Sequence, residues 1–157
     1  MSELPHLNAA GEAHMVDVGE KPDSERVAIA EGWLVMTAST LAALERGELK
    51  KGDALGTARV AGIMGAKRAA DLIPLCHPIP LSNVEVSLSV DADATAVRAE
   101  VMAATRGATG VEMEALTAVQ VALITVYDMC KALDRGMTIE GVRLIHKRGG
   151  RSGEWRR

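Results

Sequence analysis

From Asn83 to Val90 apolar and polar residues alternate without interruption. Val84, Val86, Leu88 and Val90 fall on one side, and Glu85, Ser87 and Ser89 on the other. The alternation resumes after Asp91-Ala-Asp-Ala-Thr95, through Val97, Ala99 and Val101, so the two runs predict a hairpin with one buried face. Arg26–Thr37 (RVAIAEGWLVMT) is bulky and β-branched and predicts an earlier strand, and residues 137–147 (MTIEGVRLIHK) predict a last one. Between them lie two helical stretches. A short helix, LAALERG, with Ser39 or Thr40 as its cap and Gly47 as its stop, leads into a longer one. That longer helix starts at Asp53 as N-cap and runs about five turns to Pro74. The second stretch, Val111 to Gly136, is apolar over most of its length. Residues 74–80 (PLCHPIP) hold three prolines, which bars both helix and central strand.

The order strand, helix, strand, strand, helix, strand is the split βαβ pattern. It predicts an α+β, ferredoxin-like domain with an antiparallel four-stranded sheet and helices on one face. Residues 1–24 have no period and read as an irregular arm, residues 25–146 as the single domain, and residues 147–157 as a mobile basic tail. The first long helix is lean, with Gly56, Gly62 and Gly65 among alanines. Each interior glycine costs up to about 1 kcal/mol against alanine, so close backbone packing is the expected compensation.

Composition narrows the classes. The 157 residues carry 48% apolar side chains but no Phe, one Tyr and two Trp, so the core must be aliphatic. No uninterrupted apolar run approaches the roughly 20 residues of a membrane span, and the N-terminus has neither the basic start nor the apolar stretch of a secretory signal. Cys76 and Cys130 stand far apart with no CxxC, which points to a reduced, cytoplasmic setting. Net charge is −3, but the last twelve residues hold five Lys/Arg and one Glu, leaving −7 on the rest. An acidic body without stacking aromatics is a poor nucleic-acid binder.

Several polar residues invite chemistry. Asp128 and Lys131 share a helix face at i, i+3 within an apolar stretch. A surface ion pair is the ordinary explanation, whereas partial burial would bring their pKa values toward neutrality. Glu112 and Glu114 stand at a helix N-terminus, where acids are favoured in any case; carboxylates there also suit the N–H edge of a guanine- or pterin-like ring. Glu114 and Asp128 are 14 residues apart, roughly 21 Å along one helix, so both serve one small ligand only if it is long or bound between subunits. Cys76 and His77 sit in the proline-braced loop, and Lys51 precedes the lean helix, either a solvated turn or a phosphate contact. His6, His14, His77 and His146 lack metal-ligand spacing, and Gly62-Ile-Met-Gly65 fits no nucleotide fingerprint.

Longer strings go further. KGDALGTARVAGI (51–63), GAKRAADLIPLCHP (65–78), TGVEMEALTAV (109–119), YDMCKA (127–132) and KRGGRSG (147–153), with LNAAGEAHMVDV (7–18), resemble the MoaC family over nearly the whole chain. That family makes cyclic pyranopterin monophosphate for the molybdenum cofactor. The resemblance implies conversion of 3′,8-cyclo-7,8-dihydro-GTP, supplied by a radical-SAM enzyme, with release of pyrophosphate. It implies a ferredoxin-like fold and a homohexamer, a trimer of dimers with sites at the dimer interface. By matching motif it makes Asp128, Lys51 and Lys131 catalytic. Leu75, Cys76, His77, Glu112, Met113 and Glu114 line the substrate, and Lys147 and Arg26 contact it, at its phosphates. No cofactor is implied beyond Mg²⁺ carried on the triphosphate. Fold alone does not separate such an enzyme from a non-catalytic ligand sensor or a scaffold for the upstream enzyme.

Overall fold

A computed structural model describes residues 6–157, so the first five residues of the expected N-terminal arm lie outside it. Twelve residues from Ser24 to Val35 form β1, whose alternate members Ala28, Ala30 and Leu34 are fully buried. A short α1 (Ala38–Glu45) follows, capped by Thr37 rather than Ser39 or Thr40: the Thr37 side chain accepts from the Thr40 amide. Asp53 caps α2 (Ala54–Lys67) as expected, accepting from the Gly56 amide at 2.8 Å. The helix does not run on to Pro74; it breaks at Arg68 and resumes as the four-residue α3 (Ala69–Leu72).

The proline-rich loop leads to the hairpin of β2 (Leu81–Asp91) and β3 (Ala96–Gly107). Next comes α4 (Glu112–Cys130), which stops at Cys130, short of Gly136. Residues 131–136 form a turn instead, closed by the Tyr127 hydroxyl donating to the Arg135 carbonyl at 3.0 Å. The chain then returns through β4 (Thr138–Arg148).

The sheet order is β2-β3-β1-β4-β5, and every pairing is antiparallel. Its first four strands are the ferredoxin-like α+β arrangement. The fifth, β5 (Glu154–Arg156), was not expected: the basic tail turns at Gly149, Gly150 and Gly153, all at positive φ, and pairs back onto His146–Arg148.

The helices cover one sheet face. α4 packs on β1, β3 and β4, and α2 packs on α4 and β2. The lean face of α2 explains its glycines: a Cβ at Gly65 would lie 2.8 Å from the Val121 Cβ, and one at Gly62 3.3 Å from the Ala118 carbonyl oxygen and the Ala122 Cβ. Two helices without room for side chains between them approach backbone to backbone. By length and composition α4 is apolar enough to cross a membrane, with mean hydropathy 1.3, although no single apolar run in it is long. Here it is the central core helix, with Ala115, Ala118, Val119, Ala122, Leu123 and Val126 fully buried. The opposite sheet face carries an ionic cluster, in which the nearly buried Glu31 accepts from Arg98 and Arg143 and both guanidinium groups lie over the Trp33 ring.

Candidate active site

The expected site residues fall into two groups, one at each end of α4. At the N-terminal end a cavity of about 690 Å³ is lined by Leu75, Cys76 and His77 from the proline-braced loop, Glu112 and Met113 from the first turn of α4, and Lys147 from β4. Lys147 lies on the helix-covered side of its strand because a bulge between Leu144 and His146 resets the alternation. Its Nζ donates to Glu112 Oε1 at 2.9 Å. Gly110 makes this possible, since a side chain there would collide with the Glu112 carboxylate.

Glu114 lies behind the cavity wall, 3% exposed. Its Oε1 accepts from the Cys76 thiol at 3.5 Å, while Oε2 is buried without a protein partner. Burial is the main force raising its carboxyl pKa above the usual value. Burial first, and then the neighbouring Glu114 carboxylate, push the Cys76 thiol up to about 11. Cys76 is therefore a neutral donor near pH 7 and not a nucleophile. His77 Nε2 lies 2.7 Å from the Val16 carbonyl, which only accepts, so Nε2 carries a proton and donates it to that bond.

The C-terminal end of α4 carries the other group. Asp128 Oδ2 accepts from Lys51 Nζ at 2.6 Å and Oδ1 from Lys131 Nζ at 2.7 Å. Lys51 also donates to the Asp128 backbone carbonyl. Its position, just before the Asp53 cap, follows from the packing of α2 on α4. The partial burial expected for Asp128 and Lys131 is absent, because their side chains are each 52% exposed. Bonds from Lys131 first and Lys51 second hold the Asp128 carboxyl down at about 2. The bond to Asp128 raises the Lys131 ammonium. Both shifts run away from neutrality, contrary to the sequence expectation, because the exposed opposite charges stabilise one another by more than desolvation opposes them.

Arg26 joins neither group. Its Nε and one terminal nitrogen donate to the Gly107 and Ala108 carbonyls, and it faces a smaller adjoining cavity. Sequence reasoning missed Val16, Val18 and Lys21 of the arm and Trp155 of β5, all of which line the larger cavity. Arm residues without periodicity and a three-residue strand give no signal of where they dock. Among the described residues no three His, Cys, Asp or Glu side chains gather as a metal-ligand set.

The 14-residue spacing of Glu114 and Asp128 thus survives in three dimensions as two clusters, roughly 21 Å apart along one straight element. One is a walled cavity with acid, imidazole and ammonium groups; the other is a Lys-Asp-Lys triad open to solvent. Compared with family models, residues 15–150 match the one described as the MoaC family. With that match over most of its length, the chain belongs to the MoaC family, the cyclic pyranopterin monophosphate synthase family of molybdenum cofactor biosynthesis.

Proposed function

We propose that this chain converts 3′,8-cyclo-7,8-dihydro-GTP into cyclic pyranopterin monophosphate and pyrophosphate, at a site that two copies complete together. The observation that carries this reading is the division of the chemistry between the two ends of α4. The cavity offers shape and hydrogen-bonding groups but no free acid–base pair; the triad offers acid–base groups but no walls. Seating the triad of one copy at the mouth of the cavity of another gives a nucleotide both.

The chemistry follows from the charges. Lys51 and Lys131 share one carboxylate, so the triad carries one surplus positive charge. Burying it against a partner and a nucleotide disfavours the charged form of a lysine, so that one of the two gives up its proton more readily. The triad then supplies both a proton donor and an acceptor for opening the fused ring and forming the pterin. Asp128 keeps the remaining ammonium in place. Glu112 accepts from the N–H edge of the base, and Glu114, behind the wall, holds the Cys76 thiol that faces it.

In the phosphate step a ribose-derived hydroxyl oxygen attacks the α-phosphorus. The new P–O bond forms as the bond to the β-phosphate oxygen breaks, the hydroxyl proton passes to a base, and pyrophosphate leaves with the electron pair. Lys147 and Arg26 stabilise the charge that grows on the phosphates. No net oxidation or reduction occurs. Mg²⁺, where used, arrives on the triphosphate. The same reading makes a radical-SAM enzyme the source of the substrate, a hexamer the assembled form, and the cytoplasm the setting.

Subunit mixing tests it. Lys51 and Asp128 belong to one triad, so variants of these two do not complement each other, whereas Asp128→Asn and Glu112→Gln affect different halves. Each variant alone releases little pyrophosphate from the cyclised nucleotide. After subunit exchange an equal mixture recovers about a quarter of wild-type activity, because half of random dimers are mixed and each has one intact site of two. No recovery despite exchange verified by mass spectrometry overturns the shared site, and absence of pyrophosphate release by the wild type overturns the reaction.

A further inference from the structure

Lys131 is the C-cap of α4, so its backbone belongs half to the helix and half to the turn of residues 131–136. A helix ends with carbonyls that lack helical partners, and several of those in α4 are taken up close by. The Asp128 carbonyl accepts from Lys51 Nζ at 2.9 Å, and the Cys130 carbonyl from the amides of Leu133 at 2.8 Å and Asp134 at 3.3 Å. Packing adds little to the turn, because five of its six residues are exposed and only Asp134 is half-buried.

Two side chains supply what packing does not. Asp134 Oδ2 accepts from the Thr37 amide at 2.9 Å, and Oδ1 from the Gly136 amide at 2.9 Å. Thr37 is the N-cap of α1, where an amide has no helical acceptor, so the carboxylate meets a donor that the helix leaves open. It thereby fastens the turn to the junction of β1 and α1, 97 residues away in sequence. From the other side the Tyr127 hydroxyl donates to the Arg135 carbonyl at 3.0 Å, which fastens the turn to α4 itself. Among the described residues the only ion pair of Lys131 is with Asp128.

We infer that Asp134, helped by the Tyr127 hydroxyl, is a positioning residue for Lys131: it sets the path of the turn, and so where the ammonium meets the Asp128 carboxylate. This role rests on the reading above that the triad does acid–base work, and deepens it. Neither Asp134 nor Tyr127 lines the large cavity, and their side chains bond to the turn and to Thr37. Two ammonium groups at 2.6 and 2.7 Å on the two oxygens of one carboxylate leave little tolerance. A displacement of about 1 Å, caused far from the chemistry, costs up to about a hundredfold in rate. A turn without its ties lets Lys131 swing away from Asp128 and leaves Lys51 as the one partner.

Kinetics and titration of the full chain test this. Asp134→Ala lowers kcat for pyrophosphate release from the cyclised nucleotide by about ten- to a hundredfold with KM within about twofold, the pattern of a misplaced acid–base group. Asp134→Asn, which keeps an oxygen for one of the two amides, recovers part of the loss. Tyr127→Phe, which removes the hydroxyl and leaves the ring, shows a smaller fall. Without substrate, the Asp128 carboxyl followed by NMR moves up from about 2 toward 3.8 in Asp134→Ala, because Lys131 is the largest cause of its depression. An unchanged kcat or an unchanged midpoint in folded Asp134→Ala overturns the role, since a merely structural tie would lower the melting temperature and move neither. If Asp134→Ala does not fold, Tyr127→Phe decides by the same two readings. A wild type that releases no pyrophosphate sinks the proposed reaction alone, and the midpoint then decides the positioning.

Discussion

Lys51 reaches 77 residues along the sequence to place its Nζ 2.6 Å from Asp128 Oδ2. The contact ties the turn before α2 to the last turn of α4, and it leaves one carboxylate serving two ammonium groups. Because all three side chains are about half exposed, these ion pairs add little to stability.

Asp128→Asn and Lys51→Ala are therefore expected to lower pyrophosphate release at least about a hundredfold, the usual scale for losing acid–base participation. The melting temperature should stay within about 2 °C of wild type, as for exposed substitutions in a domain of this size. A parallel fall in melting temperature would show that the loss reflects unfolding.

The Asp128 carboxyl itself should titrate near 2 when followed by NMR, against an ordinary value of 3.8. The sign is that of a depressed acid: what the triad adds to stability is present above the ordinary value and is lost as pH falls toward 2. Removing Lys131 moves the midpoint up, since Lys131 is the largest cause of the shift. A wild-type midpoint at 3.8 or higher would contradict the two-lysine geometry.

Glu114 should behave in the opposite sense. Burial raises its pKa, so the folded chain keeps this proton to higher pH than the unfolded one. Its effect on stability is most favourable below the ordinary 4.5 and declines as pH rises through that value toward the folded one. Urea unfolding at pH 4.5 and 7.5 should show a smaller difference between the two conditions in Glu114→Gln than in wild type. An unchanged difference would mean that Glu114 ionises as freely folded as unfolded.

Gly65→Ala pits two effects against each other. Helix propensity alone favours alanine by up to about 1 kcal/mol. The added methyl, however, would sit 2.8 Å from the Val121 Cβ on α4. Overpacking of this kind costs about 1–3 kcal/mol, so the variant should be less stable by calorimetry. Pairing it with Val121→Ala should restore part of the loss, and a purely additive double variant would rule out the proposed collision.

How much of this was readable beforehand depended on whether a residue's partner left a local trace. The hairpin of Val84 to Val101 was legible because one buried face imposes alternation on both strands. The glycines of α2 foretold close packing for the same kind of reason. β5 was not legible: all three of its residues are exposed, so no pattern marks them. Thr37 took the capping role from Ser39 and Thr40 by a difference of two or three positions, within the usual spread of helix boundaries read from sequence. The apolar neighbours of Asp128 suggested burial, yet Val126 and Cys130 point into the core while Asp128, on another side of the same turn, points out. Lys21 and Trp155 come to line the larger cavity through folding contacts that no short string encodes.

The central helix has one further consequence. Because it carries Glu112 and Glu114 at one end and Asp128 at the other, it acts as a gauge bar that fixes how far apart the cavity and the triad lie. Inserting a single residue between Glu114 and Asp128 would advance the triad by only about 1.5 Å but swing it through about 100°. Drift in size, tolerable in the surface turns of this chain, is closed to the stretch from Glu114 to Asp128.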